Sequence, residues 1–314
     1  MSDMEAVVAS AGPSGEAPTQ PKHASSKKSK PRSLAADAWL DLRKSKIFWV
    51  ASILVVIITL MALVPGLFGA GDPRECFLSR QFDGASGNAF FGYDYQGCDV
   101  YAKTIYGARN SLLVSLFATV ISGIIGLMFG LSAGYFGGWV DAVLSRFIDV
   151  VLGIPFLLAA IVMAKRLSAD PESNGVLAVT LTLGVLGWTT AARIMRSSVI
   201  ASKNQDYVAA ARMLGSGPAR LMMRHILPNS TASFIVVLTL LLGANIASEA
   251  TLSFLGIGLK NNAISWGIAI SEASPQARVE AMPLVWPSLF LAATVLAFIM
   301  LGDAIRDAFD PKLR

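Results

Sequence analysis

The chain has 314 residues, of which 54% are hydrophobic and 15% charged, with a formal net charge of +5. This balance is too apolar for a water-soluble globular domain, and the apolar residues sit in long uncharged blocks, so an integral membrane protein is expected. His23 and His225 are the two histidines of the chain, which all but excludes a histidine-based metal site or catalytic triad, and no phosphate-cradling G-x-x-x-x-G-K-S/T run occurs.

The first 33 residues lack apolar periodicity and are rich in Ser, Pro, Ala and Lys, with KHASSKKSKPR at 22–32. A disordered basic cytoplasmic tail is expected over 1–38, held inside by its charge and able to meet anionic lipid headgroups. The first apolar run begins at Ile47 and ends without an A-x-A site, so no cleavable signal peptide is apparent. Six apolar blocks follow, at 47–71, 110–140, 150–164, 173–192, 230–248 and 281–302. Most reach the roughly 20 residues that a membrane-crossing helix needs. The third reaches that length only by admitting Arg146 and Asp149, which at three residues apart could pair. Alternating six crossings from an inside N-terminus leaves 18 of the 26 Lys and Arg residues in the cytoplasm. Both termini are therefore read as cytoplasmic.

The first crossing, assigned to 39–69, ends near Pro65 and Gly66. An extracytoplasmic loop over 70–109 holds Cys76 and Cys98, the two cysteines of the chain, in a compartment where a disulfide persists. Two free thiols or a metal pair are the competing readings. The five-helix remainder, 110–304, opens on a crossing with Gly126, Gly130 and Gly134 at four-residue intervals. These place small residues along one helix face, for packing inside the subunit or against a second one. Gly153 and Pro155 predict a kink in the third crossing.

A polar, basic insert over 193–229 separates the fourth and fifth crossings. Asn204 or Asp206 could cap a short helix whose apolar face is Tyr207, Ala210, Ala211 and Leu214. Gly215 and Gly217 end it, Pro218 starts a second helix with Arg220 and Arg224 on one face, and Pro228 marks a break before the fifth crossing. Glu249 opens an apolar stretch over 249–273 interrupted by glycine and asparagine, expected as an interfacial or re-entrant piece at the outer mouth. Glu249 there could guard a pathway or cap a helix. A C-terminal tail over 305–314 completes the chain. Ionisable residues are few in the crossings, whereas ion-coupled carriers commonly need several at midplane, so energy comes from another polypeptide or the protein is passive.

The residues then support a family. Ala209, Ala210, Ala211 and Gly215, followed by His225, Ile226, Leu227, Pro228 and Asn229, resemble the cytoplasmic loop motif of ABC importer permeases. Ala209 stands where that motif usually has glutamate, with Asp206 one turn earlier. GYDYQGCDVYAKTIYGARNSLLV, DYVAAARMLG, RHILPN and EATLSFLGIG followed by SWG, in this order, are similar to the C-type permease of dipeptide and oligopeptide importers over residues 34–314. Cys98 departs from the usual arginine in the first of these, which strengthens the disulfide reading.

The resemblance implies an all-α membrane protein with six transmembrane helices, the type I ABC importer permease fold and a cytoplasmic coupling helix. It implies no bond chemistry, no cofactor and no metal in this subunit, ATP and Mg being bound by partner ATPases. The implied partners are a homologous permease, two cytoplasmic ATPase subunits or domains, an extracytoplasmic substrate-binding protein, a peptide substrate and membrane lipid, with no nucleic acid. Asp206, Tyr207, Ala209, Ala210, Ala211, Arg212, Leu214, Gly215, Arg220 and Arg224 are the expected ATPase-coupling residues, in a plasma (inner) membrane protein. Other solutes of the same importer class (nickel chelates, oligosaccharides, haem) and a passive channel or scaffold are the alternatives.

Overall fold

The computed structural model describes residues 39–309 apart from 88, 169 and 171. The tail expected over 1–38 and residues 310–314 lie outside the described residues. The chain divides into two units, Met1–Ser33 and Leu34–Arg314, and every described residue belongs to the second. Its helices of eight residues or more among the described residues, in chain order, are α1 (Lys46–Leu63), α2 (Val100–Phe136), α3 (Gly138–Gly153), α4 (Phe156–Leu167), α5 (Val176–Lys203), α6 (Asp206–Met213), α7 (Pro218–Phe254), α8 (Trp266–Ala273) and α9 (Met282–Phe309). Beside them, the described residues contain isolated β-bridges but no extended sheet.

Ser45 caps α1 by accepting from the Phe48 amide, and the helix gives way to a tight turn over Pro65–Phe68, as Pro65 and Gly66 predict. The second crossing starts earlier than expected. Asp99 accepts from the Tyr101 amide and launches α2 at Val100, so the loop assigned to 70–109 ends at 99. Lys103 and Arg109 kept this first stretch out of the apolar block, but a helix need not stop where the hydrocarbon does. At 37 residues, α2 extends about 55 Å, well beyond a hydrocarbon core of roughly 30 Å.

The glycine stripe on α2 packs inside the subunit, against α5. A Cβ on Gly126 would lie 2.7 Å from that of Ala191, one on Gly130 2.5 Å from the Ala192 carbonyl oxygen, and one on Gly134 2.8 Å from the Val199 Cβ. Residue numbers rise together along both helices, so α2 and α5 run parallel. The chain between them must recross the membrane, and α3 with α4 forms that crossing. These two helices are bent by 86° at the intervening residues. Pro155 lacks an amide hydrogen, and Ile154 before it is extended at φ −81° and ψ 127°. The kink predicted within 150–164 is thus a near right angle in a crossing that spans 138–167. Among the described residues five helices are long and apolar enough to cross alone, and the bent pair, taken as one span, brings the number to six.

Helix α7 runs antiparallel to both. Asn245 Nδ2 donates to Thr119 Oγ1 at 2.9 Å, and Ser230 Oγ donates to Ser202 Oγ at 3.1 Å. Pro228 does not break the chain here. Pro218–Phe254 is one continuous helix containing a π turn over Leu221–Ile226, in which the Leu227 amide reaches the Met222 carbonyl. Widening the helix by one residue per turn just before a proline relieves the crowding of its ring against the preceding turn. Ile58, Met61 and Ala62 of α1 close over Ile105 and Ala108 of α2 and Phe298 of α9. Helix α9 continues through Phe309, so the expected tail at 305–314 begins as helix.

Two small lobes cap one end of the bundle. In the first, Cys76 and Cys98 form a disulfide, with Cα atoms 4.1 Å apart. Beside it Gly97 has φ +72°, and any Cβ there would fall 1.9 Å from the Phe77 carbonyl oxygen. The second lobe follows Gly256, at φ +73°. It turns back so that fully buried Trp266 donates from Nε1 to the Thr104 carbonyl at 2.8 Å. The interrupted stretch after the fifth crossing is therefore a folded cap over residues 255–273. Glu249, expected to open it, lies within α7.

Candidate functional site

At the end of the bundle opposite the disulfide, α6 stands between α5 and α7. Val208 and Ala211 are buried in a cluster with Leu131, Val199, Leu221, Ile226 and Phe234. Tyr207, Ala209, Ala210, Arg212, Met213 and Leu214 are exposed, Leu214 at 87%. The apolar face read from the sequence is therefore divided. Ala211 turns inward with Val208, while Tyr207, Ala210 and Leu214 at i, i+3 and i+7 remain outward. An amphipathic reading cannot separate these faces when both are apolar.

Neither Asn204 nor Asp206 caps α6. Gln205 occupies that position without a side-chain capping bond to the helix, its amide donating instead back to the Ala201 carbonyl at 3.4 Å, and Asp206 is the first helical residue. There its carboxylate meets the positive end of the helix dipole. Gly215 ends the helix in the left-handed region at φ +83°. The Leu214 amide donates to the Ala210 carbonyl at 3.0 Å and the Ser216 amide to that of Ala211 at 3.1 Å. Gly217 is extended and precedes Pro218 at the start of α7, so it opens the next helix rather than closing α6. Arg220 and Arg224 are exposed one turn apart, with Met223 between them 56% exposed. Exposed methionine and leucine flanked by arginine form the kind of patch that another protein covers.

Polar links not read from the sequence tie this region to the crossings. Arg196 on α5 holds Asp141 on α3 through two hydrogen bonds, Nε to Oδ1 at 2.5 Å and Nη2 to Oδ2 at 2.7 Å. Arg193 pairs with Asp149 at 2.6 Å. The expected Arg146–Asp149 pairing is thus replaced by one across helices, because α5 lays its arginines along the acidic face of α3. Lys203 Nζ donates to the Tyr135 carbonyl at 2.5 Å and sits 5.7 Å from that ring. The signal was present in the spacing: Asp141 and Asp149 recur after about two turns, and Arg193 and Arg196 lie about one turn apart.

Glu249 has no exposed surface. Its Oε1 accepts from Ser253 Oγ at 2.9 Å, and Ser253 Oγ in turn accepts from the Leu259 amide at 3.1 Å. As an interior residue of α7 it does not cap a helix; it joins that helix to the cap. At the disulfide end, Lys103 binds Asp94 at 2.6 Å and Glu272 at 3.2 Å, joining both lobes to α2. A cavity of about 440 Å³ opens toward the other end, beside Ile194, Ser233, Val237, Arg306 and Phe309.

Comparison with known proteins gives this arrangement its family. Residues 126–314 match the family described as "Binding-protein-dependent transport system inner membrane component". Residues 33–81 match the "N-terminal TM domain of oligopeptide transport permease C". The chain is 35% identical to the oligopeptide transport system permease protein OppC of Bacillus subtilis (strain 168) over 282 residues, 90% of this chain and 91% of the relative. It is 35% identical to the dipeptide permease DppC of the same organism, over 90% of this chain and 87% of that one. To the glutathione permease GsiD of Escherichia coli O157:H7 it is 31% identical, over 88% and 90%. Among solved structures, an inward-facing form of the MetNI methionine ABC transporter matches with a TM-score of 0.55 at 17% identity, covering 66% of this chain and 96% of that one. That likeness shows the fold, a type I importer permease. The chain is thus a multi-pass membrane transport subunit rather than an enzyme, and it belongs to the ABC importer permeases, in the C-type branch of the dipeptide and oligopeptide family.

Proposed function

We propose that this chain is one of two permease halves of an ATP-driven peptide importer in the plasma (inner) membrane, with both termini in the cytoplasm, and that α6 is its coupling helix. The outward face of α6 carries this reading: Tyr207, Ala210 and Leu214 are exposed on a helix whose opposite side is fixed by Val208 and Ala211. A small alanine at the centre of that face lets a partner backbone approach closely, and Arg212, Arg220 and Arg224 surround it with positive charge. The partner is a cytoplasmic ATPase, two of which serve the complex and hold ATP and Mg. The second permease half is homologous, and an extracytoplasmic binding protein delivers the peptide. The relatives support the peptide class, since they include oligopeptide, dipeptide and glutathione permeases.

Movement of the ATPases would displace α6 as a unit, because its buried side packs into the same cluster as α5 and α7. ATP then shifts the balance between inward-open and outward-open arrangements through differential contacts at this face. Purification through a tag on this chain is expected to bring down a second permease and an ATPase, whose hydrolysis rises with peptide-loaded binding protein in reconstituted vesicles. Purified material without an ATPase would overturn the reading.

A further inference from the structure

The disulfide end of the bundle carries a second feature, on its apolar surface. A groove of about 350 Å³ runs between α1, α2, α7 and α9, walled by Val55, Leu63, Leu112, Leu116, Leu242 and Phe298. Among the described residues Arg109 is the one ionisable group lining it. Its guanidinium is exposed and makes no ion pair with any described residue. Leu112, Leu113 and Leu116 follow it along α2, reaching about 10 Å farther along the helix axis. The depth is set by the neighbouring helix: α1 ends at Leu63, and Tyr101 OH donates to the Phe68 carbonyl at 2.7 Å just beyond that end. Arg109 therefore lies about two turns below the water-facing start of α2, where a long side chain snorkels toward headgroups.

From these observations we infer that the groove is a binding site for one anionic phospholipid, with an acyl chain along Leu112, Leu113 and Leu116 and the phosphate on Arg109. An unpaired guanidinium at the edge of the hydrocarbon calls for an anion, and phosphate matches its planar fork. Among the described residues no carboxylate lines the groove to compete for it. A headgroup carrying its own ammonium would set that charge beside the arginine, so an anionic headgroup is preferred over a zwitterionic one. The site is independent of the importer reading, since it requires neither ATPase nor substrate.

Native mass spectrometry of the complex purified from membranes tests this with dioleoyl-phosphatidylglycerol and dioleoyl-phosphatidylcholine, which share their chains. The wild-type complex is expected to retain one phosphatidylglycerol with about tenfold preference, the ratio that a charge-assisted hydrogen bond of about 1.4 kcal/mol confers. Arg109→Gln should level the two lipids, Arg109→Lys should keep part of the preference, and Leu116→Trp, which fills the groove, should lower retention of both. Glycerol 3-phosphate, a headgroup without chains, should not displace the lipid. Equal retention of the two lipids by wild type overturns the inference, as does displacement by glycerol 3-phosphate. A photoreactive residue at position 113 that cross-links to the partner permease instead of lipid overturns it as well.

Discussion

Asp141 and Arg196 clasp each other with two parallel hydrogen bonds, and this clasp fastens the start of α3 to α5 about two turns before α5 ends. The crossing with the right-angle bend is thereby tied to the helix that leads into the coupling segment. Both side chains are partly exposed, at 22% and 35%, so the clasp contributes about 1 kcal/mol to stability. Its expected role is transmission. Asp141→Asn should reduce peptide uptake in reconstituted vesicles several-fold while leaving the melting temperature nearly unchanged, and the swapped pair Asp141→Arg with Arg196→Asp should recover part of it. Full uptake in the single variant would show that no motion passes through this contact.

Adjacent alanines on α6 face opposite ways, and this yields a contrast. Ala210→Trp lies on the exposed face and should leave folding intact while uncoupling ATP hydrolysis from uptake. Ala211→Trp forces a large ring into a filled cluster, at a cost of about 1–3 kcal/mol or more, and should lower the yield of folded protein. Uptake, ATPase rate and size-exclusion profiles, measured together, separate the two outcomes. Gly215→Pro should also uncouple, because proline cannot adopt φ +83°.

The glycine stripe gives a second contrast. Gly130→Ala should destabilise the bundle by about 1–3 kcal/mol, since backbone rather than a flexible side-chain tip meets the added methyl. Gly153→Ala should be tolerated, because a Cβ there meets nothing within 4 Å. Thermal unfolding in detergent reads both.

The Cys76–Cys98 bridge should leave both thiols unreactive to maleimide until a reductant is added. It closes a loop with a sequence separation of 22 residues, so its loss through Cys98→Ser should cost about 3 kcal/mol on the chain-entropy account. Labelling without reductant would contradict the bridge.

Glu249 joins α7 to the cap through Ser253. Glu249→Gln keeps an acceptor oxygen in the same place and should fold and transport, whereas Glu249→Lys sets an ammonium in a fully enclosed site and should abolish accumulation in the membrane, a cost of several kcal/mol. Immunoblots of membrane fractions distinguish the two.

Much of this was readable in the residues alone. Apolar block length marked every crossing but the third, because hydrocarbon thickness demands about 20 residues. Gly215 and Pro218 marked the ends of their helices, because positive φ and a missing amide hydrogen are properties of single residues. Two cysteines in one loop left one possible intrachain pair. The boundary at Val100 was hidden because a helix can outrun the hydrocarbon into water, where Lys103 is welcome.

What the tertiary structure alone decided is which surfaces meet. The glycine stripe on α2 had two possible neighbours, Asp149 had a partner within its own helix and another on α5, and the face of α6 could be divided in more than one way. In a membrane, lipid tails and protein neighbours are equally apolar, so periodicity does not reveal which side of a span touches protein. That choice follows from the parallel course of α2 and α5, from the 86° bend between α3 and α4 and from the unbroken passage of α7 through Pro228, all of which depend on contacts between residues far apart in the chain.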